Sequence, residues 1–215
     1  MSERLKHALK PGNLIHGIEH VSEPVWAGIA TSGLKPAART GNSTSLCYNP
    51  NHLSFAIIAD GRNYHNPYDA YRRPDHVGPI GGMSNLHGFD PELYLSYYFG
   101  IAIIVNQEKL LASPLGAKLY AVGSLLRESA FVREYHIENG QAFGMPYGPG
   151  DQTWPDEVQL RNPEPEEVVD TSYWEALVVY TNHRSKLQKW NEKIGGPILD
   201  VPVFVIAQDG KAILE

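Results

Sequence analysis

A stretch of six residues fenced by prolines constrains this chain more than any other. Asp156-Glu157-Val158-Gln159-Leu160-Arg161 runs between Trp154-Pro155 and Asn162-Pro163-Glu164-Pro165. Val158 and Leu160 alternate with Gln159 and Arg161, the period-two pattern of a strand with one face inward. The proline before it sets a sharp entry, and the prolines after it end the strand. Glu157 therefore stands at the mouth of a rigid element, where its carboxylate can be aimed. An acidic turn residue in water is the plainer reading of the same stretch.

The rest of the chain can supply a core for such a strand. Its 215 residues suit one domain, and we place a single domain over 1–215. A hydrophobic share of 42% against 20% charged allows a sizeable interior. With Gly 20 and Pro 16 the chain is loop-rich, which argues against a helical bundle. The net charge of −6 argues against a broad basic footprint for duplex nucleic acid, leaving room only for a local basic groove. Cys47 is the lone cysteine, so no internal disulfide and no paired-cysteine metal site can form. Met1 to Gly12 lacks the apolar core of a signal peptide, and no run is long enough to span a bilayer. The expectation is a protein with no membrane partner. It is cytoplasmic, or an effector secreted without a cleavable signal peptide, and a monomer.

Short elements punctuated by turns fill the sequence. Asn13 to Ile18 predicts a buried strand. Ser22, Glu23 and Pro24 open a helix with Val25, Trp26, Ile29 and Ala30 at helical spacing, and Gly33 closes it. Leu34 to Ser43 reads as a basic loop, Leu46-Cys47-Tyr48 as a second strand, and the apolar run Leu53 to Ala59 as a helix. Asp60 to Asp90 has little periodicity and much turn chemistry, with Tyr64, Tyr68 and Tyr71 beside Arg72 and Arg73. A loop of that length suggests a lid. Ile101 to Val105 is a continuous apolar strand, followed by a helical turn over Gln107 to Leu111. Leu119 to Val122 and Phe131 to Ile137 are further strands. Gly140 to Gly150 is a second glycine-rich loop, carrying Phe143 and Tyr147. Ala176 to Tyr180 is a strongly buried strand, and His183 to Lys193 a helix with Leu187 and Trp190 inward. Val201 to Ile206 is a strand, and Lys211 to Leu214 an edge strand. The fold class is α+β, with two small packed sheets, flanking helices and long loops.

Common catalytic and metal patterns are missing. There is no HExxH, no GxSxG and no phosphate-cradling loop ending in lysine. His16 and His20 have helical spacing, but Gly17 and the strand reading of this stretch spoil a helical metal pair. Asp156 and Glu157 cannot act as a carboxylate pair, because adjacent strand residues point to opposite faces.

Both ends of the chain carry a family likeness. His16-Gly17 lies on the first strand, then comes a helix ending through Gly33-Leu34, then Lys35-Pro36-Ala37. Toward the C-terminus Glu157 opens a strand, a proline turn follows over Pro163 to Val168, then an apolar strand, a helix, and Pro202-Val203. This order resembles the ADP-ribosyltransferase superfamily, in the branch marked by a His-Gly pair. The C-terminal third is similar to its DarT-type members, which modify nucleic-acid bases. Ser43-Thr44-Ser45 also resembles the Ser-Thr-Ser strand start of arginine-type ADP-ribosylating toxins, whose first strand has an arginine where this chain has His16. The likeness covers about two thirds of the chain; Asp60 to Gly150 lies outside it.

The resemblance implies an ADP-ribosyltransferase-like split β-sandwich with NAD as co-substrate. Glu157 is the implied catalytic residue. His16, Gly17, Arg39, Ser45 and Tyr48 are the implied NAD-binding residues: His16 toward the adenosine-side ribose, Gly17 toward the nicotinamide amide, Arg39 toward the pyrophosphate. The nicotinamide–ribose bond breaks through an oxocarbenium-like state, as glycosidic bonds do, so a held carboxylate is the group this chemistry needs. The implied function is mono-ADP-ribosyl transfer to a nucleobase or protein acceptor by a toxin or effector. Alternatives are an inactive binding module on the same fold, or an NAD glycohydrolase. No metal site is expected.

Overall fold

Two apolar runs form the centre of the structure, a computed structural model that describes residues 3–10, 13–18, 21–40, 51–57, 100–124, 132–136, 157–206 and 213–214. β3 (Ile101–Val105) and β7 (Trp174–Tyr180) pair antiparallel. Every residue of β3 is buried, as is Ala176 through Tyr180 of β7, so both faces of this pair are covered. Branched aliphatic side chains suit that position, because they lose little freedom on a pleated surface. Glu175 is passed over in the register: Ala176 lies opposite Ile104 and Trp174 opposite Val105, which makes it the extra residue of a bulge. Its carboxylate accepts from Asn106 Nδ2 at 2.5 Å and lies 3.5 Å from Lys109 Nζ and 3.4 Å from His7 Nε2.

The other strands extend the sheet on either side. β1 (Leu14–Ile18), β2 (His52–Ile57), β4 (Leu119–Ser124), β5 (Val132–His136), β6 (Glu157–Arg161), β8 (Val203–Ile206) and β9 (Ile213–Leu214) complete it. Among the described residues the order is β5-β4-β6-β2-β1-β3-β7-β8-β9. β7 and β8 alone run parallel, because a helix carries the chain back between them. The sequence predicts two small packed sheets; the strands instead join in one ladder. The join between its halves is narrow. Among the described residues β1 pairs with β3 over five positions and with β2 over two, Leu14 to Ile57 and Ile15 to Ala56.

Leu53 to Ala59 is not a helix. Leu53 and Phe55 are buried and Ser54 between them is exposed, and the stretch forms β2 against β6 from His52–Arg161 to Ala56–Glu157. An apolar run this short carries too little periodicity to separate the two states, and cross-strand pairing decides between them.

Helices pack around the sheet. α1 (Glu3–Ala8), which the sequence reading leaves without structure, buries Leu5 and Ala8. α2 (Glu23–Ser32) starts after Ser22, which takes the extended cap backbone without a side-chain capping bond. Gly33 ends it at φ 76, with Val168 3.1 Å from where a Cβ would stand. Only glycine meets both conditions cheaply. α3 (Ala37–Thr40) is a single turn inside the predicted loop, and α4 (Gln107–Leu111) is capped by Asn106. α5 (Arg184–Ile194) buries Leu187, Trp190 and Asn191 on one stripe. Trp26 of α2 donates its indole N–H to Asn191 Oδ1 at 2.7 Å, and its ring centroid lies 6.0 Å from that of Trp174. That buried hydrogen bond locks α2 to α5 above the core. Among the described residues, no helix is long and apolar enough to cross a membrane.

Candidate active site

The narrow join opens into a fork. Past Ile15 and Ala56, strands β1 and β2 part: His16, Gly17 and Ile18 continue opposite Ile103, Ala102 and Ile101 of β3, while Phe55 and Ser54 continue opposite Val158 and Gln159 of β6. The half-buried His16 ring spans the opening. Its Nδ1 lies 2.8 Å from the Ser54 carbonyl oxygen. Its ring meets that of Phe55 edge-on, with centroids 5.7 Å apart and planes at 63°.

This contact fixes the proton. A carbonyl oxygen only accepts, so Nδ1 must carry the hydrogen. Burial is the larger influence on the ring and lowers its pKa below the ordinary 6.5; the bond to Ser54 pulls the other way and is weaker. At neutral pH the imidazole is therefore uncharged, with a lone pair on Nε2.

Glu157 opens β6 two strands from β1. It lies opposite Ala56 on β2, which in turn lies opposite Ile15, and on its other edge it faces Val122 of β4. Two strand spacings of about 4.8 Å put its backbone roughly 10 Å from that of Ile15, the neighbour of His16. Gly17 sits one residue further along β1, opposite Ala102. The fork thus lies between the His-Gly strand and the strand that the glutamate opens, with Ile15, Ala56 and Glu157 on one row of the ladder and His16 on the next, alternate row.

Arg39 has partners within the protein. It lies on α3, and its guanidinium donates to the carbonyl of Glu164 at 2.6 Å and to the carbonyl of Pro163. Two of its donors thus clamp the turn that leaves β6. The same turn is held by Glu167, which accepts from Lys118 Nζ and from the Glu164 backbone N–H, each at 2.5 Å. The lysine, then the backbone donor, hold the Glu167 carboxyl below its usual range, and the lysine's pKa is raised in return. Asn162 begins the turn in the left-handed region at φ 45, a conformation asparagine tolerates better than most residues. The exit of the Glu157 strand is therefore built with some care.

Ser45, Tyr48, Phe143, Tyr147 and the loop with Arg72 and Arg73 lie outside the described residues. Ser54 and Phe55 escape the sequence reading because a helix over that run would not bring them to His16. Among the described residues, no group of His, Cys, Asp and Glu could hold a metal ion. An open cleft of about 480 Å³ lies elsewhere, at β8, lined by Arg4, Arg184 and Gln188 together with Ile198, Val201 and Phe204. It is three strands from β1 and takes no part in the fork. The chain matches no family model, no curated protein and no solved structure.

Proposed function

We infer that this protein is a mono-ADP-ribosyltransferase that uses NAD as co-substrate and modifies a macromolecular acceptor, a nucleobase or a protein side chain, as a toxin or effector. The observation that carries the reading is the fork: among the described residues β1 and β2 pair at Leu14–Ile57 and Ile15–Ala56 and then part, with the His16-Gly17 strand on one side and the Glu157 strand beyond β2 on the other. The same narrow join supports an ADP-ribosyltransferase-like split sheet as the fold.

Each residue has a chemical task in this reading. Neutral His16 offers Nε2 to a ribose hydroxyl. Gly17 has no side chain, so a planar amide can approach its backbone. Glu157 holds a ribose hydroxyl and stabilises the cation that forms as the nicotinamide–ribose bond breaks, then helps to take the proton from the acceptor. Arg39 organises the turn behind Glu157. The reaction needs no metal.

The deciding experiment is nicotinamide release from NAD by the purified protein. Glu157→Gln should keep the fold and the NAD affinity and lose about a hundredfold or more in turnover, the usual cost of removing one preorganised electrostatic group. Turnover within a few-fold of the parent would falsify the assignment. Retained NAD binding without release by the parent would instead mark an inactive binding module on this fold.

A further inference from the structure

The cleft at β8 is built along one stripe of α5. Arg184, Gln188 and Asn191 follow at spacings of four and three, so they share a face of the helix, and all three line the cleft. Arg4 joins them from α1. The rest of the wall is apolar, with the half-buried Val203 of β8 and with Leu199, a large aliphatic side chain left 55% exposed. Asn191 is the residue that points to a ligand. It is only 5% exposed, and its Oδ1 accepts from the Trp26 indole at 2.7 Å. An indole N–H only donates, so this bond fixes the amide and turns Nδ2 the other way. Among the described residues Nδ2 has no partner, and it is not sealed from the cleft that Asn191 lines. A donor held like this is set for an acceptor oxygen.

Charge selects the other end of the ligand. The chain has a net charge of −6, yet two arginines line this cleft against one carboxylate, Glu192. Arg184 opens α5, whose first turn has no acidic residue and whose cap residue, His183, makes no side-chain capping bond. The positive end of the helix dipole therefore adds to the arginine's charge. Glu192 lies eight residues on, about 12 Å along the axis, so an anion at the Arg184 end stands clear of it. Asn191 is about 10 Å from that end, the span of roughly three extended residues. We propose that this cleft is a peptide site, separate from the fork, that takes the free C-terminal end of an apolar segment. The carboxylate meets Arg184 and Arg4, apolar side chains cover Leu199 and Val203, and a backbone carbonyl accepts from Asn191 Nδ2. The site stands whether or not the fork binds NAD.

Titration calorimetry on the full chain, with the peptide acetyl-Leu-Ala-Leu as probe, tests the site. Saturable binding is expected, with the C-terminal amide of the same peptide at least about tenfold weaker, the range of a charge-assisted hydrogen bond. Equal binding of acid and amide overturns the anion end. Acetate binding as tightly as the peptide overturns the apolar wall, and no saturable binding at millimolar peptide overturns the site. Arg4 is exposed and has no partner among the described residues, so Arg4→Gln should leave the melting temperature unchanged and weaken the peptide about three- to tenfold. Asn191→Asp keeps an oxygen for Trp26 but replaces the donor by an acceptor, and should weaken the peptide at least about tenfold. Unchanged affinity in Arg4→Gln, or in folded Asn191→Asp, overturns the assignment; if Asn191→Asp unfolds, Arg4→Gln and the amide comparison still decide. Saturating NAD should not displace the peptide. Displacement would make the cleft part of the coenzyme site and overturn its separateness. If NAD does not bind at all, the functional reading fails and the peptide result stands on its own.

Discussion

The two halves of the sheet bury their strands in different ways. In β3 and β7 consecutive residues are inside, and Ile101 through Val105 are each 0% exposed. In β2 and β6 burial alternates: Leu53, Phe55, Val158 and Leu160 are inside, while Ser54 is exposed and Gln159 and Arg161 are half-buried. The first half has cover on both faces and the second on one. The difference teaches where chemistry can sit. A strand buried on both faces has no room for a ligand, and a strand wet on one face can present groups but needs an anchor. The fork at His16 lies where the two kinds of strand meet, so its backbone is held by the dry half and its ring by Ser54 and Phe55 of the other.

The sharpest way to break this comparison is to place one substitution in each half. Ile104→Ser puts a hydroxyl and a void into the dry half and should cost about 3–5 kcal/mol, a large part of a typical domain's stability. Gln159→Ser on the half-buried row of β6 loses its contact with Arg161, 2.9 Å from Nη2, and should cost about 1 kcal/mol or less. Denaturant melts of both variants check the pair, and equal losses would mean that the two halves are alike.

At the seam the effect should shift from stability to binding. His16→Ala is expected to weaken NAD about tenfold, near the upper range of one hydrogen bond and its packing, with a small change in melting temperature. Calorimetry showing unchanged affinity would return His16 to a purely structural role.

A smaller effect should appear with pH. Burial lowers the His16 pKa, so the unfolded chain binds the proton more readily than the folded one. The neutral ring's contribution is complete above the unfolded value of about 6.5 and is lost as pH falls through the lower folded value. Melting temperatures should therefore drop below about pH 6.5, and His16→Gln should remove that part of the slope. A parallel profile in the variant would place the titration elsewhere.

The least effect is expected at the turn behind β6. Lys118→Ala removes a part-buried ion pair that water and salt still reach, so its stability cost should be small and should shrink further at high salt. Arg39→Ala should cost more, because its two bonds go to backbone carbonyls.

Read from the sequence alone, Glu157 at the mouth of a strand, the apolar strands at 101–105 and 176–180, the helix ending at Gly33 and the inward Leu187 and Trp190 were all legible. Each rests on local chemistry: alternation, β-branching, a left-handed glycine, helical spacing. What stayed hidden is non-local. Whether Leu53 to Ile57 pairs as a strand depends on β6, about a hundred residues away. The job of Arg39 depends on carbonyls at Pro163 and Glu164. The helix at Glu3–Ala8 depends on a buried place for Leu5 and Ala8, because six residues do not hold a helix alone. The state of His16 depends on where β1 and β2 stop pairing. A sequence fixes which residues want to be inside and which backbone shapes are cheap. Only the folded register brings the Ser54 carbonyl to the Nδ1 of His16 and so decides which nitrogen faces the ligand.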